Sequence, residues 1–228
     1  MAERNIRRNT KRSRVKRRIQ LYMRLGIFVL FLLMIVLGGM KLFKVGLFNN
    51  KYREVKSSEI DAAQPEMDVQ LLTVNEYSRP GTKTNKINDI VIHYTANPGS
   101  TAMQNRDYFE GLKDSHQTKA SSHFIVGLEG EIVQCVPTWE EAYASNDRNS
   151  DTVSIETCHL EADGKYTAET YKSMVQLTAW LCKKFELTEK NVIRHYDITG
   201  KICPKYFVED EEAWDKFLSD VSDVLKKM

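Results

Sequence analysis

Two short apolar runs in this chain close on a histidine: Ile90, Val91 and Ile92 lead into His93, and Val192 and Ile193 lead through Arg194 into His195. Consecutive rather than alternating apolar residues mark a strand covered on both faces, so helices must lie above and below the sheet. Such helices are written into the pattern. Residues 167–185 place Tyr171, Met174, Val175, Thr178, Leu181, Cys182 and Phe185 three or four apart, the spacing of one packed helix face. Residues 211–227 do the same with Trp214, Phe217, Val221 and Leu225, and residues 101–113 offer a weaker stripe. Further strands are expected at 122–128 and 131–136, joined by a two-residue turn at Glu129 and Gly130, and at 152–157. The fold class predicted is therefore α/β, a mixed central β-sheet flanked by helices. With 228 residues and 42% apolar content, the chain supports one good core.

The segment R-H-Y-D-I-T-G-K-I-C-P at 194–204 has the chemistry of half a zinc site. His195 and Cys203 stand eight residues apart with Gly200 between them, so a turn can return a thiolate to the imidazole at a strand end. One nitrogen and one sulfur ligand suit zinc, and a catalytic zinc takes a third protein ligand. His93 is the candidate for that third ligand. Taken singly, each histidine has a plainer reading as a core or loop residue, and the spacing is not that of a short zinc-finger pattern.

Three segments in this order, V-I-H-Y-T-A-N at 91–97, S-I-E-T at 154–157 and the 194–204 motif, resemble the zinc-dependent N-acetylmuramoyl-L-alanine amidases. That family includes phage lysins, autolysins and peptidoglycan recognition proteins, and the resemblance covers about residues 71–225. It implies a Zn2+ ion on His93, His195 and Cys203, with Glu156 relaying protons and Lys201 opposing the charge of the oxyanion. It also implies peptidoglycan as substrate and cleavage between N-acetylmuramic acid and the L-alanine of the stem peptide. His123 and Asn97 are candidates for substrate contact, and Asn146 is a weaker one. Some phage-type members carry a tyrosine before the histidine that opens the second strand, where this chain has Ser122 before His123, which leaves proton transfer to Glu156. The alternative is a peptidoglycan-binding domain of the same fold that does not cleave.

The first 24 residues hold ten Lys/Arg and one Glu, whereas the remainder holds 23 Lys/Arg and 30 Asp/Glu. An acidic remainder gives the basic tail no folded basic surface to extend, which argues against nucleic acid as a partner. Residues 25–40 carry no charge. This run, with its flanks, reads as a single transmembrane anchor. The expected organisation is a basic cytoplasmic tail at 1–24, the anchor at 25–43, a polar linker at 44–70 and the amidase domain at 71–228. The positive-inside rule then puts the N-terminus in the cytoplasm and the domain outside the cell, attached to the membrane. Four cysteines, at 135, 158, 182 and 203, leave disulfide pairing open, and nothing in the sequence sets the oligomeric state.

Overall fold

The computed structural model describes residues 22, 23, 25–35 and 51–228. The chain divides into two units, Met1–Asn50 and Lys51–Met228. In the first, residues 25–35 are helical. Among the described residues no helix is long and apolar enough to cross a membrane. The expected single-pass anchor is corrected on this ground, and the membrane location and membrane partnership built on it go with it. The basic tail, apart from residues 22 and 23, and residues 36–50 lie outside the described residues.

The second unit holds a six-stranded sheet. Its strands are β1 (Asp68–Val69), β2 (Asp89–Ile92), β3 (Phe124–Val126), β4 (Ile132–Gln134), β5 (Thr152–Thr157) and β6 (Val192–Arg194), in the order β1-β4-β3-β5-β2-β6. All neighbours are parallel except the hairpin pair β3 and β4, which gives the mixed sheet expected. Helices α1 (Ala102–Ser115), α2 (Ala168–Lys184), α3 (His195–Thr199), α4 (Lys205–Glu209) and α5 (Glu211–Leu225) complete it.

The side-chain period of two sorts the sheet between two cores. Phe124, Val126 and Ile132 face α2 and α5, together with Ile90, Ile92, Val153 and Ile155. Ile125 and Val133 face the opposite way, against Phe109 and Leu112 of α1. The helix starts follow ordinary capping chemistry. Thr101 accepts from the Gln104 N–H, and the Gln104 side chain returns a bond to the Thr101 N–H. Thr167 caps α2 through the Thr170 N–H.

Two expectations shift locally. The hairpin loop has three residues, not two: the Gly127 N–H bonds the Glu131 carbonyl, and Gly130 sits at φ 87. This left-handed residue closes the loop before the second strand. The polar stretch expected as a linker also belongs, from Lys51 onward, to the compact unit. Val55 and Ile60 are buried in the larger core, while Lys216 Nζ donates to the Val55 carbonyl at 2.9 Å. Two apolar residues five apart in a polar run carry no period that a sequence reading detects.

Phe217 is fully buried, with its ring 5.1 Å from Phe207 and 5.5 Å from Trp214. Phe217→Ala is expected to lower the unfolding free energy by about 3–5 kcal/mol. Urea titration would register this as a lower midpoint at unchanged slope, and a loss under about 1 kcal/mol would show that the cluster repacks without it.

Candidate active site

Strand register assembles the site. Ile92 of β2 pairs with Ile155 of β5 on one side and with Arg194 of β6 on the other. One residue further along the three neighbouring chains stand His93, Glu156 and His195. They share a level by construction, and the His93 N–H bonds the Ile155 carbonyl at 2.8 Å.

His195 does not end a strand, as expected; it begins α3. Arg194 takes an extended conformation, its N–H donates to the Asp197 carboxylate at 2.8 Å, and the helix starts there. Helix α3 stops at Gly200, which adopts φ 74, a conformation that suits glycine. The chain then doubles back, and the Tyr196 N–H bonds the Cys203 carbonyl at 2.8 Å. Arg194 clamps this turn from below. Its guanidinium reaches Asp197 at 3.0 Å, Glu211 at 2.7 Å and the Phe207 carbonyl at 3.0 Å, and lies 5.2 Å from the centre of the Trp214 ring.

The return of the chain brings the Cys203 Sγ to 3.8 Å from His93 Nδ1. One donor atom from each of His93, His195 and Cys203 lies within 4.8 Å of the others, and all three residues are buried. Ligands at about 2.0–2.3 Å from a tetrahedral zinc stand roughly 3.3–3.8 Å apart. The group therefore fits a metal of this size with little adjustment, and two imidazoles with a thiol are a soft, nitrogen-rich set suited to zinc. Burial holds the His93 imidazole well below its ordinary pKa, with His195, Lys201 and His123 adding to the effect. His195 is lowered by burial and by Lys201. Both rings are thus neutral, the form that can ligate. Burial pushes the Cys203 thiol up to about 12, Glu156 pushes the same way, and the Tyr94 N–H and Lys201 pull it down. A bound cation reverses that balance and takes the thiolate.

Glu156 projects from the same level. Its Oε2 is enclosed and has no hydrogen-bond partner. Burial raises its carboxyl to about 7, against the pull of Lys201. Lys201 is exposed, yet its charge acts on Glu156, His93 and His195 alike.

His123 and Asn97, both considered for substrate contact, differ in exposure. His123 is 1% exposed and both of its ring nitrogens are engaged. Nδ1 accepts from the Ser154 N–H at 3.0 Å and lies 2.9 Å from Ser154 Oγ, while Nε2 donates to the Glu140 carbonyl at 2.9 Å. No ring atom is left for a ligand, so His123 is a structural histidine. Asn97 is exposed in the turn after β2, where its carbonyl accepts from Ser100. Two loop residues reach the centre, Ser145, which the sequence does not single out, and Asn146, the weaker candidate for substrate contact: Ser145 Oγ lies 3.4 Å from His93 Nε2, and Asn146 Oδ1 lies 3.1 Å from His195 Nε2. All four cysteines are free and buried.

A family model described as N-acetylmuramoyl-L-alanine amidase matches residues 83–206, which include the whole site. The N-acetylmuramoyl-L-alanine amidase CwlL of Bacillus licheniformis is 38% identical over 165 residues, covering 67% of this chain and 45% of that protein. A probable N-acetylmuramoyl-L-alanine amidase of the same organism is 35% identical over 164 residues, with 67% and 46% covered. The chain thus spans a little under half the length of these relatives. Among solved structures, a mutant endolysin from Bacillus subtilis matches with a TM-score of 0.59 and 26% identity, over 68% of this chain and 98% of that one.

The burial of His123 has a pH signature. Its pKa falls from the ordinary 6.5 to about 4 in the fold, so between these values the unfolded chain binds a proton that the folded chain refuses. The associated stability is full above 6.5 and is lost as pH falls towards about 4, a swing of about 3 kcal/mol. Urea unfolding at about pH 7 and about pH 4.5 should show a loss some 2–3 kcal/mol smaller in His123→Gln than in wild type. Equal losses would mean that His123 titrates normally.

Proposed function

Because the chain belongs to the N-acetylmuramoyl-L-alanine amidase family, we propose that it is a zinc-dependent peptidoglycan hydrolase, with His93, His195 and Cys203 as ligands, Glu156 as proton carrier and Lys201 as counter-charge. The bond cut is the amide between N-acetylmuramic acid and the L-alanine of the stem peptide. The observation that carries this reading is the gathering of three donors within 4.8 Å, at the level where Glu156 presents a buried and unpartnered carboxylate oxygen.

An amide is a poor electrophile and water a poor nucleophile. His93, His195 and Cys203 would hold a zinc ion, which would supply Lewis acidity to the carbonyl and to water. The rest of the work falls to side chains. A carboxyl poised at about 7 is matched to proton transfer near neutral pH, since it can accept and release a proton at similar cost. Ionised Glu156 takes the proton of the attacking water on Oε2, where no other hydrogen bond competes. It then gives the proton to the departing amine nitrogen, without which the C–N bond cannot break productively. Lys201 places positive charge beside the site, opposing the negative charge that develops on the carbonyl oxygen. Its attraction also keeps part of the Glu156 population ionised.

Glu156→Gln keeps the shape and removes the proton acceptor. Its turnover on purified peptidoglycan should fall by about 10²–10⁴-fold, while zinc content and wall binding stay as in wild type. Mass spectrometry of the released material should show stem peptides with a free L-alanine amino terminus. Full activity in Glu156→Gln would remove that residue from the mechanism, and a zinc-loaded wild type that binds several wall types without cutting any would favour a binding module.

Lys201→Ala withdraws the charge that favours ionised Glu156, so the Glu156 pKa rises. The acid limb of kcat/KM should therefore move to higher pH, along with a lower plateau rate. An acid limb that stays in place would disconnect Lys201 from Glu156.

A further inference from the structure

Each imidazole of the centre has two nitrogens, and only one can face a metal. At His93 the division is visible: Nδ1 faces the Cys203 sulfur at 3.8 Å, while Nε2 faces Ser145 Oγ at 3.4 Å. At His195, Nε2 lies 3.1 Å from Asn146 Oδ1. An amide oxygen accepts and never donates, so this contact requires the proton on Nε2 and leaves the Nδ1 lone pair free. We propose that Ser145 and Asn146 are positioning residues, Ser145 holding the orientation of the His93 ring and Asn146 both the orientation and the tautomer of His195, so that both Nδ1 atoms are presented to the metal. The proposal rests on the metal centre put forward above.

The loop is built to hold these two groups still. Asn149 Oδ1 accepts the N–H groups of Ala144 at 3.1 Å and Ser145 at 2.6 Å. The Arg148 N–H returns to the Ser145 carbonyl at 3.0 Å, and the Asn149 N–H to the Asn146 carbonyl at 3.1 Å. The Arg148 side chain is itself tied to Asp89 at 2.5 Å and to Asp151 at 2.8 Å, so the loop is fastened to the first residue of β2, the strand that leads into His93. Ser145 is 1% exposed. Asn146 has φ 52, a left-handed conformation that glycine adopts at lower cost. Asparagine is among the residues that enter this region most readily, and here its side chain meets His195.

Partners behind metal-ligating histidines fix the ring and raise its basicity, and losing one typically weakens metal binding about 10–100-fold. Asn146→Gly separates this effect from folding, because glycine accepts φ 52 and loses only the amide. Zinc affinity of the full chain, measured by competition with a chromophoric chelator, should fall by about 10–100-fold in Asn146→Gly. The urea midpoint of the metal-free variant should stay level or rise. Asn146→Asp, which restores an acceptor oxygen at the same place, should recover the affinity, and Ser145→Ala should weaken zinc through His93. Long-range nitrogen-15 spectra of the metal-free wild type should show His195 as one tautomer, protonated on Nε2, and Asn146→Gly should show a mixture. Wild-type affinity in Asn146→Gly, or no recovery in Asn146→Asp, would overturn the positioning role and leave the metal centre standing. A wild type that takes up no zinc would bring down the centre and this role together.

Discussion

The site depends on the pairing of one strand with two neighbours. Strand β2 has only four residues, yet it is hydrogen-bonded to β5 and β6 in a single parallel register. That register sets the residues after Ile92, Ile155 and Arg194 side by side. They come from parts of the sequence separated by 63 and 39 positions, and no local interaction could hold them to one level. The apolar residues before them, Ile90, Ile92, Val153 and Ile155, hold that register by close packing in the larger core. Core and chemistry are thus specified by the same strands.

Much of this was legible in the sequence where burial leaves a period. The 152–157 strand has the expected limits, and the stripes of α2 and α5 pack as their spacing implies, with Val224 joining Trp214, Phe217 and Val221. What could not be read depends on side chains that redirect the backbone. Asp197 captures the Arg194 N–H and turns an apparent strand end into α3. The strap at 51–69 is held by two isolated apolar residues and by Lys216, none of which forms a pattern. At the proposed site, motifs single out His93, Glu156, His195, Lys201 and Cys203. Ser145 and Asn146 were not assigned their contacts, because a left-handed backbone at a non-glycine residue leaves no mark in the letters.

Electrostatically, the proposed centre would suit a cation. Two neutral imidazoles, a thiol held protonated by burial and a carboxyl near neutrality are gathered within a largely buried site. A cation would be favoured there by the ionisation of Cys203 and Glu156 together, and each of those ionisations disfavours the other in its absence. Protons and metal therefore compete for one set of atoms, and metal uptake should release protons as it proceeds.

Strand β1 has a further consequence. It is two residues long, and it lies parallel on β4, whose outer edge also receives the N–H groups of Gln70 and Leu72. A fragment started at residue 71 would strip most of that cover and leave β4 presenting bare amides and carbonyls, a template for edge-to-edge association with a second chain. The natural place to divide the chain is between Asn50 and Lys51.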